Sequence, residues 1–148
     1  MRVTTWAEYG LIVAAHLARR DSEAPMPARE LAGEEGLPAD YVEQILLKLR
    51  RAGIVRSARG ARGGYTLARP PESVSVRDVI EAAEHRTFQV NCDSRPVHPH
   101  RCGPGGDCAI RPVWRALQLR IDQLLDSVSL ADLSRGEAAV EELVSQSV

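Results

Sequence analysis

No stretch of this sequence approaches the roughly 20 consecutive apolar residues that a membrane span requires. The apolar run from Gly10 to Ala15 is short, preceded by Glu8 and ended by His16, so it reads as an amphipathic helix and not as part of a signal peptide. A cytoplasmic chain is the expectation. Cysteine is scarce and odd in number, with only Cys92, Cys102 and Cys108. In a reducing compartment that count argues against a disulfide framework and for metal or redox chemistry. Also missing are a Gly-rich phosphate loop, a Ser–His or Cys–His pairing, and paired carboxylates that suggest a pocket, so no enzyme is expected. There is no internal repeat.

What remains is 148 residues of ordinary globular composition, 44% hydrophobic and 26% charged, enough for one domain or one domain with an appended helix. The net charge of −1 hides an uneven distribution. Between Lys48 and Arg69 lie seven basic residues (Lys48, Arg50, Arg51, Arg56, Arg59, Arg62 and Arg69) and no Asp or Glu. A one-sign block of this kind is either a phosphate-contacting surface or a solvated basic face.

The first helix is predicted from about Thr5 to Arg19. Thr5 and Glu8 have capping-box spacing, and Trp6, Tyr9, Val13 and Leu17 form one apolar stripe. Pro27 suits the first turn of a short second helix through Leu31, stopped by Gly33 or Gly36. A third helix runs from near Pro38 to Gly53. Its core face is Val42, Ile45, Leu46 and Leu49, opposite Asp40, Glu43, Gln44, Leu47, Lys48 and Arg51. Two short β runs follow, Ile54 to Ser57 and Tyr65 to Ala68, joined by a turn rich in glycine and arginine. A short helix spans Val76 to Glu84, with Ser75 as N-cap and Asp78 completing the box. His85 to Cys108 reads as a long loop, the kind usually functional or disordered. From Pro112 to Val128 the helical period returns, and Val113, Leu117, Ile121, Leu124 and Val128 make an approximate heptad seam. A seam that long needs a partner, which predicts pairing across a dimer axis. Ser134 to Val148 is a weak helix or a frayed tail.

The fold class is therefore mainly α with a small β-wing: a winged helix-turn-helix plus a long dimerisation helix. The expected divisions are a DNA-binding winged helix-turn-helix over 1–84, a cysteine-bearing loop over 85–111, and a dimerisation helix and tail over 112–148. A helix-turn-helix lays its second helix in the major groove with N-terminal residues near base edges. Here those are Ala39, Asp40, Tyr41, Glu43 and Gln44, with Lys48 and Arg51 further along the same helix. Gln pairs bidentately with adenine, and Glu accepts a hydrogen bond from cytosine. Arg59 and Arg62 on the wing tip suit a narrow minor groove or phosphates. The bland alternative is a solvated surface helix beside a plain hairpin.

Cys92, Cys102 and Cys108 are separated by nine and five residues, with no C-x-x-C knuckle of a structural zinc finger. The connector Gly103-Pro104-Gly105-Gly106-Asp107 is nearly free of side chains, so its backbone can wrap a cluster and aim N–H groups at sulfide. A fourth ligand must come from elsewhere, and the candidates are Glu8, Asp93, His98, His100 and Asp107. From spacing alone, a metal cluster, zinc and unliganded thiols all stay open.

Several segments together resemble the family of winged-helix iron–sulfur transcription regulators that includes IscR and NsrR. They are Met1-Arg2-Val3-Thr4, Tyr41-Val42-Glu43-Gln44, the wing Arg59-Gly60-Ala61-Arg62-Gly63-Gly64-Tyr65-Thr66-Leu67, Val79-Ile80-Glu81-Ala82, and the three cysteines followed by Val113-Trp114. The match runs from Met1 to about Leu133. The resemblance implies a symmetric homodimer with long crossing helices, an iron–sulfur cluster near the dimer interface, and binding to a palindromic operator in double-stranded DNA. It also implies that Glu43 and Gln44 read bases and that Arg59 enters the minor groove. IscR-like members have a His ligand three positions after the last cysteine, where this sequence has Arg111; arginine stays protonated and cannot ligate there. NsrR-like members use a carboxylate at the position of Glu8, supplied by the partner subunit. The expected ligand set is then Cys92, Cys102, Cys108 and the partner's Glu8. The wide gap from Cys92 to Cys102 leaves both a [2Fe–2S] and a [4Fe–4S] centre open. The expected function is a regulator, acting as a repressor, that senses redox state, nitric oxide or iron–sulfur status. A winged-helix regulator with structural zinc or no metal is the alternative.

Overall fold

The stripe Trp6, Tyr9, Val13 and Leu17 becomes the inner face of a helix. A computed structural model of the chain describes residues 3–84, 90, 92 and 95–147, and its first helix, α1, is Thr5–Arg19. Val13 and Leu17 are buried, while Trp6 and Tyr9 pack half-buried against the core. The cap differs from the expectation. Thr5 is already helical, and the N-cap is Thr4, in extended backbone, whose side chain accepts from the Ala7 N–H at 3.4 Å. With the frame shifted by one, Glu8 sits a residue too far along to close a capping box, and its side chain is exposed.

Helix α2 is Ala28–Glu35, entered from Pro27 and ended by Gly36 at φ 65°. It continues past Leu31 because the left-handed Gly36 is the stop, returning its N–H to the carbonyls of Ala32 and Gly33. Gly33 is an interior glycine, which costs a helix only about 1 kcal/mol relative to alanine. Helix α3 is Ala39–Arg51, and Val42, Ile45, Leu46 and Leu49 are fully buried, as their spacing requires.

The wing is an antiparallel pair, β1 (Val55–Ala58) and β2 (Gly64–Leu67), in the register Val55↔Leu67 to Ala58↔Gly64. It is fastened to the body by Met26, which exchanges two backbone hydrogen bonds with Tyr65 at 2.8 and 3.0 Å. Gly64 is required there, because a Cβ at that position would overlap the Met26 backbone. A 3-10 turn at Pro71–Ser73 leads to helix α4, Val76–Glu84. Its capping box is complete, with Ser75 N–H to Asp78 and Asp78 N–H to Ser75 Oγ both at 3.0 Å.

Further helices are α5 (Ile110–Ser127), α6 (Leu130–Leu133) and α7 (Glu137–Ser147). The heptad seam holds only in part. Val128 lies beyond α5 in extended backbone and is buried, accepting from the Val76 N–H at 2.8 Å. The Leu130 N–H returns to Val74 O at 2.9 Å, so residues 128–130 pair with the segment before α4 and drive Leu130 into the core. Ser129 and Asp132 then form the capping box of α6, an element the sequence reading lacks. Along α5 itself no residue is buried: Val113 is 62% exposed and Trp114 40%, while Leu117, Ile121 and Leu124 are half-covered. Among the described residues no helix is long and apolar enough to cross a membrane.

Candidate nucleic-acid interface and cysteine loop

At about 100° per residue, Asp40, Glu43, Gln44, Leu47 and Arg51 fall within one outward sector of α3, roughly 100° wide. Asp40, Glu43, Gln44 and Arg51 are exposed and Leu47 is half-exposed. Tyr41 and Lys48 lie on the flank of that sector, turned towards α1. The Tyr41 ring is 5.0 Å from Trp6 and 5.7 Å, edge-on, from Tyr9. The Lys48 ammonium donates to Ala83 O at 2.7 Å and lies 4.2 Å from the centre of the Trp6 ring. The sequence reading missed this aromatic contact between α1 and α3, because the two helices meet only through the tertiary fold.

The wing continues the basic surface. Arg50 Nη1 donates to Ser57 Oγ at 3.3 Å, tying the end of α3 to β1, and Arg56 Nε donates across the hairpin to Thr66 Oγ1 at 3.2 Å. At the tip, Gly60 has φ 109° and accepts the Gly63 N–H at 3.0 Å. A Cβ on Gly63 would collide with the carbonyl of Ala58, so the turn stays narrow and leaves Arg59 and Arg62 exposed. An exposed polar helix face beside a cationic hairpin tip has the chemistry to engage a groove and its flanking phosphates.

The cysteine loop is a second locus. Cys92, Cys102 and Cys108 are free thiols, each half-buried. Its turns are tight. Cys102 N–H bonds to His98 O at 2.9 Å and Gly106 N–H to Gly103 O at 3.1 Å, and a Cβ on Gly103 or Gly106 would meet the backbone of residues 99–101. Arg111 closes the loop by donating to Arg101 O at 2.8 Å, a positioning role its sequence context does not announce. Cys108 sits just before the first turn of α5. The backbone N–H groups of Arg111 and then Ile110 hold its thiol below the usual cysteine range, with the Arg111 and Arg101 charges adding to the effect.

His98 accepts the Arg101 N–H on Nδ1 at 3.1 Å, and its ring is 6.0 Å from that of His100. Asp107 is exposed, as are both histidines, and Asp93 lies outside the described residues. Glu8, at the start of α1, is exposed and not spent on a cap. Among the described residues, no three His, Cys, Asp or Glu side chains come together as a group able to hold a metal ion. The donor set and the glycine-lined turn suit a thiolate-bound cluster, but the described residues of a single chain do not bring four ligands together.

Comparison with known proteins bears on the whole chain. The model of the Rrf2 family, described as iron-dependent transcriptional regulators, matches residues 3–136. The chain is 32% identical over 133 residues to the transcriptional regulator IscR of Aliivibrio salmonicida, covering 90% of this chain and 77% of that one. It is 30% identical over 141 residues to IscR of Xenorhabdus nematophila, covering 95% and 84%. Among solved structures, T. potens IscR superposes with a TM-score of 0.72 at 33% identity, covering 94% of this chain and 90% of that one. CymR, the global cysteine regulator of B. subtilis, superposes with a TM-score of 0.74 at 29% identity, covering 91% and 97%. The relatives are regulators and not enzymes, in keeping with a mostly helical winged-helix fold that carries a two-stranded wing. This chain belongs to the Rrf2 family of transcriptional regulators.

Proposed function

We propose that this regulator works as a homodimer, acting as a repressor on a palindromic operator, and that an iron–sulfur cluster controls its grip on DNA. The observation that carries the DNA-binding half is the exposed sector of α3 beside the exposed Arg59 and Arg62. In this reading Asp40, Glu43, Gln44 and Arg51 face the major groove, with Glu43 and Gln44 reading bases. Arg59 enters the minor groove and Arg62 holds phosphate. Tyr41 supports the reading face through its contact with Trp6 and Tyr9. The dimer half is supported by the unburied apolar side of α5, an 18-residue helix on which Ile110, Val113 and Trp114 are exposed and Leu117, Ile121 and Leu124 only half-covered. An uncovered face of that size marks an interaction site, and a second copy supplies the matching helix.

Cys92, Cys102 and Cys108 would hold the cluster, with the partner subunit's Glu8 as fourth ligand. Bound there, the cluster would supply a redox-responsive centre, [2Fe–2S] or [4Fe–4S], easily displaced at its carboxylate position. This chain's own contribution is the thiolate-favouring first turn of α5 at Cys108 and the glycine turn that lets backbone approach sulfur. Because Glu8 lies in the first turn of α1 and Cys108 just before α5, losing their link would free one subunit's first helix from the other's loop and change the spacing of the two α3 helices. Selection of duplexes from a random pool, followed by titration of the apo and loaded forms, tests the scheme. Gln44→Ala should relax specificity by about 1–3 kcal/mol at one base pair. Glu8→Ala should remove the difference between apo and loaded protein, and an unchanged difference would refute the coupling.

A second reading keeps the winged helix and drops the cluster, with zinc or no metal on the cysteines. It is favoured by the lack of a converged metal-holding group among the described residues and by the likeness to CymR. Zinc or its absence leaves the protein colourless, which separates the two.

A further inference from the structure

The end of α4 is where three helices meet, and Lys48 reaches it from α3. Its ammonium donates to Ala83 O at 2.7 Å and sits 4.2 Å from the centre of the Trp6 ring. Ala83 lies in the last described turn of α4, towards the end that carries the negative pole of the helix dipole. A cation there fills an acceptor and opposes that charge, while the indole face holds the same ammonium from α1. Lys48 is thus gripped from two sides by its own chain. Its position on the flank of the reading sector agrees with this.

The same turn of α4 is fastened to α1 as well. Glu84 Oε1 accepts from the Ala7 N–H at 3.1 Å, sharing with Thr4 the donor that opens α1. Ala83 packs so closely on Gly10 that a Cβ there would be 3.2 Å from its own Cβ. Trp6 in turn packs at a tilt against Tyr41, one of the flanking residues of α3. Glu84, the last residue of α4, stands eight residues before Cys92 in the sequence. The cysteine loop is thus joined in sequence to the turn of α4 whose carbonyl Lys48 holds.

We infer that Lys48 is a positioning residue and not a phosphate contact: it sets α3 against the end of α4 and carries the state of the cysteine loop to the DNA-reading face. The inference rests on the DNA-binding reading above. It concerns neither the identity of the cluster nor the bases read. Methionine at this position keeps the length and apolar stem of lysine but loses the donor and the charge; arginine keeps both.

The test uses the full-length protein in a Trp114→Phe background, so that Trp6 is the single tryptophan, and a duplex selected from a random pool by the parent protein. Lys48→Met should weaken binding by between about 2- and 30-fold while leaving the slope of log affinity against log salt unchanged. It should also shift Trp6 emission, and Lys48→Arg should restore most of both. In the parent, Trp6 emission should respond to Cys92→Ser, and in Lys48→Met that response should vanish. A salt slope that falls by about 0.9, with Trp6 emission unmoved, would make Lys48 an ordinary phosphate contact and overturn the inference. If the parent selects no duplex, the DNA-binding reading fails on its own. The emission arms then still decide, an unmoved Trp6 in Lys48→Met refuting the junction and a shift rescued by Lys48→Arg supporting it.

Discussion

The Arg77 guanidinium donates to Asp126 at 2.9 Å and to Glu81 at 2.8 Å, with Asp122 at 3.8 Å. Arg77 and Glu81 belong to α4 and the two aspartates to α5, so one side chain links the two helices alongside the Val76–Val128 backbone hydrogen bond. The hydrogen bonds to Asp126 and Glu81 raise its pKa above that of an ordinary arginine, which keeps it charged at any working pH. The pairs are part-exposed, so each is worth well under 1 kcal/mol. Arg77→Gln should therefore lower unfolding stability by about 1 kcal/mol or less in urea titration, with a larger relative effect on dimerisation measured by sedimentation. A loss above about 3 kcal/mol would mean that the network is a buried one, contrary to its exposure.

Leu130 closes the core from a position 117 residues after Val13, and both are fully buried. Leu130→Ala should cost about 2–5 kcal/mol, the range for emptying a packed leucine site. A chemical denaturation series checks it; a change below about 0.5 kcal/mol would place residues 128–133 outside the cooperative core.

Gly64→Ala sets a methyl group against the Met26 backbone, where no flexible side chain can move aside. The wing must shift relative to the α1–α2 connection, with a stability cost of about 1–3 kcal/mol. Operator affinity should fall with it, because Arg59 and Arg62 ride on the same hairpin. A variant with parent affinity and reduced stability would mean that the wing tip contributes little to binding.

Cys108 should behave as a thiol that is unusually ready to ionise. Its pKa is depressed in the fold by the Arg111 and Ile110 amides, so the stabilisation is present above the unfolded pKa and is lost as pH falls through the lower, folded value. In a Cys92→Ser, Cys102→Ser variant, the iodoacetamide rate should reach half its maximum at a lower pH when folded than in urea. Coincident profiles would remove the helix-terminus effect.

Local signals in the sequence carried most of the helical frame. The ends of α1 and α4 follow from period and capping residues that act within one turn, and the buried face of α3 follows from Val42, Ile45, Leu46 and Leu49. Thr4 taking the cap in place of Thr5 is a one-residue shift that two adjacent threonines leave undecided. The features the sequence hid are those made by distant partners. Val128 left the expected seam because Ser75 and Ser129 pair across more than 50 residues, and Gly64 looks like any turn glycine until Met26 lies against it. Lys48 belongs to the basic block by composition, but Ala83 and Trp6 decide where its charge goes. Of the proposed cluster ligands, the three cysteines come from their count and spacing in the sequence, and Glu8 rests on the family resemblance. Its exposure leaves it open to a partner.

The most direct test of cluster control is the visible spectrum, with iron and acid-labile sulfide analysis, of protein purified without oxygen alongside Glu8→Ala. The account predicts a brown protein with bound iron and sulfide, bleached by reduction or nitrosylation, and a shifted or labile spectrum in the variant. Colourless protein holding zinc or no metal after anaerobic handling would contradict it, leaving a winged-helix DNA binder without its proposed sensor.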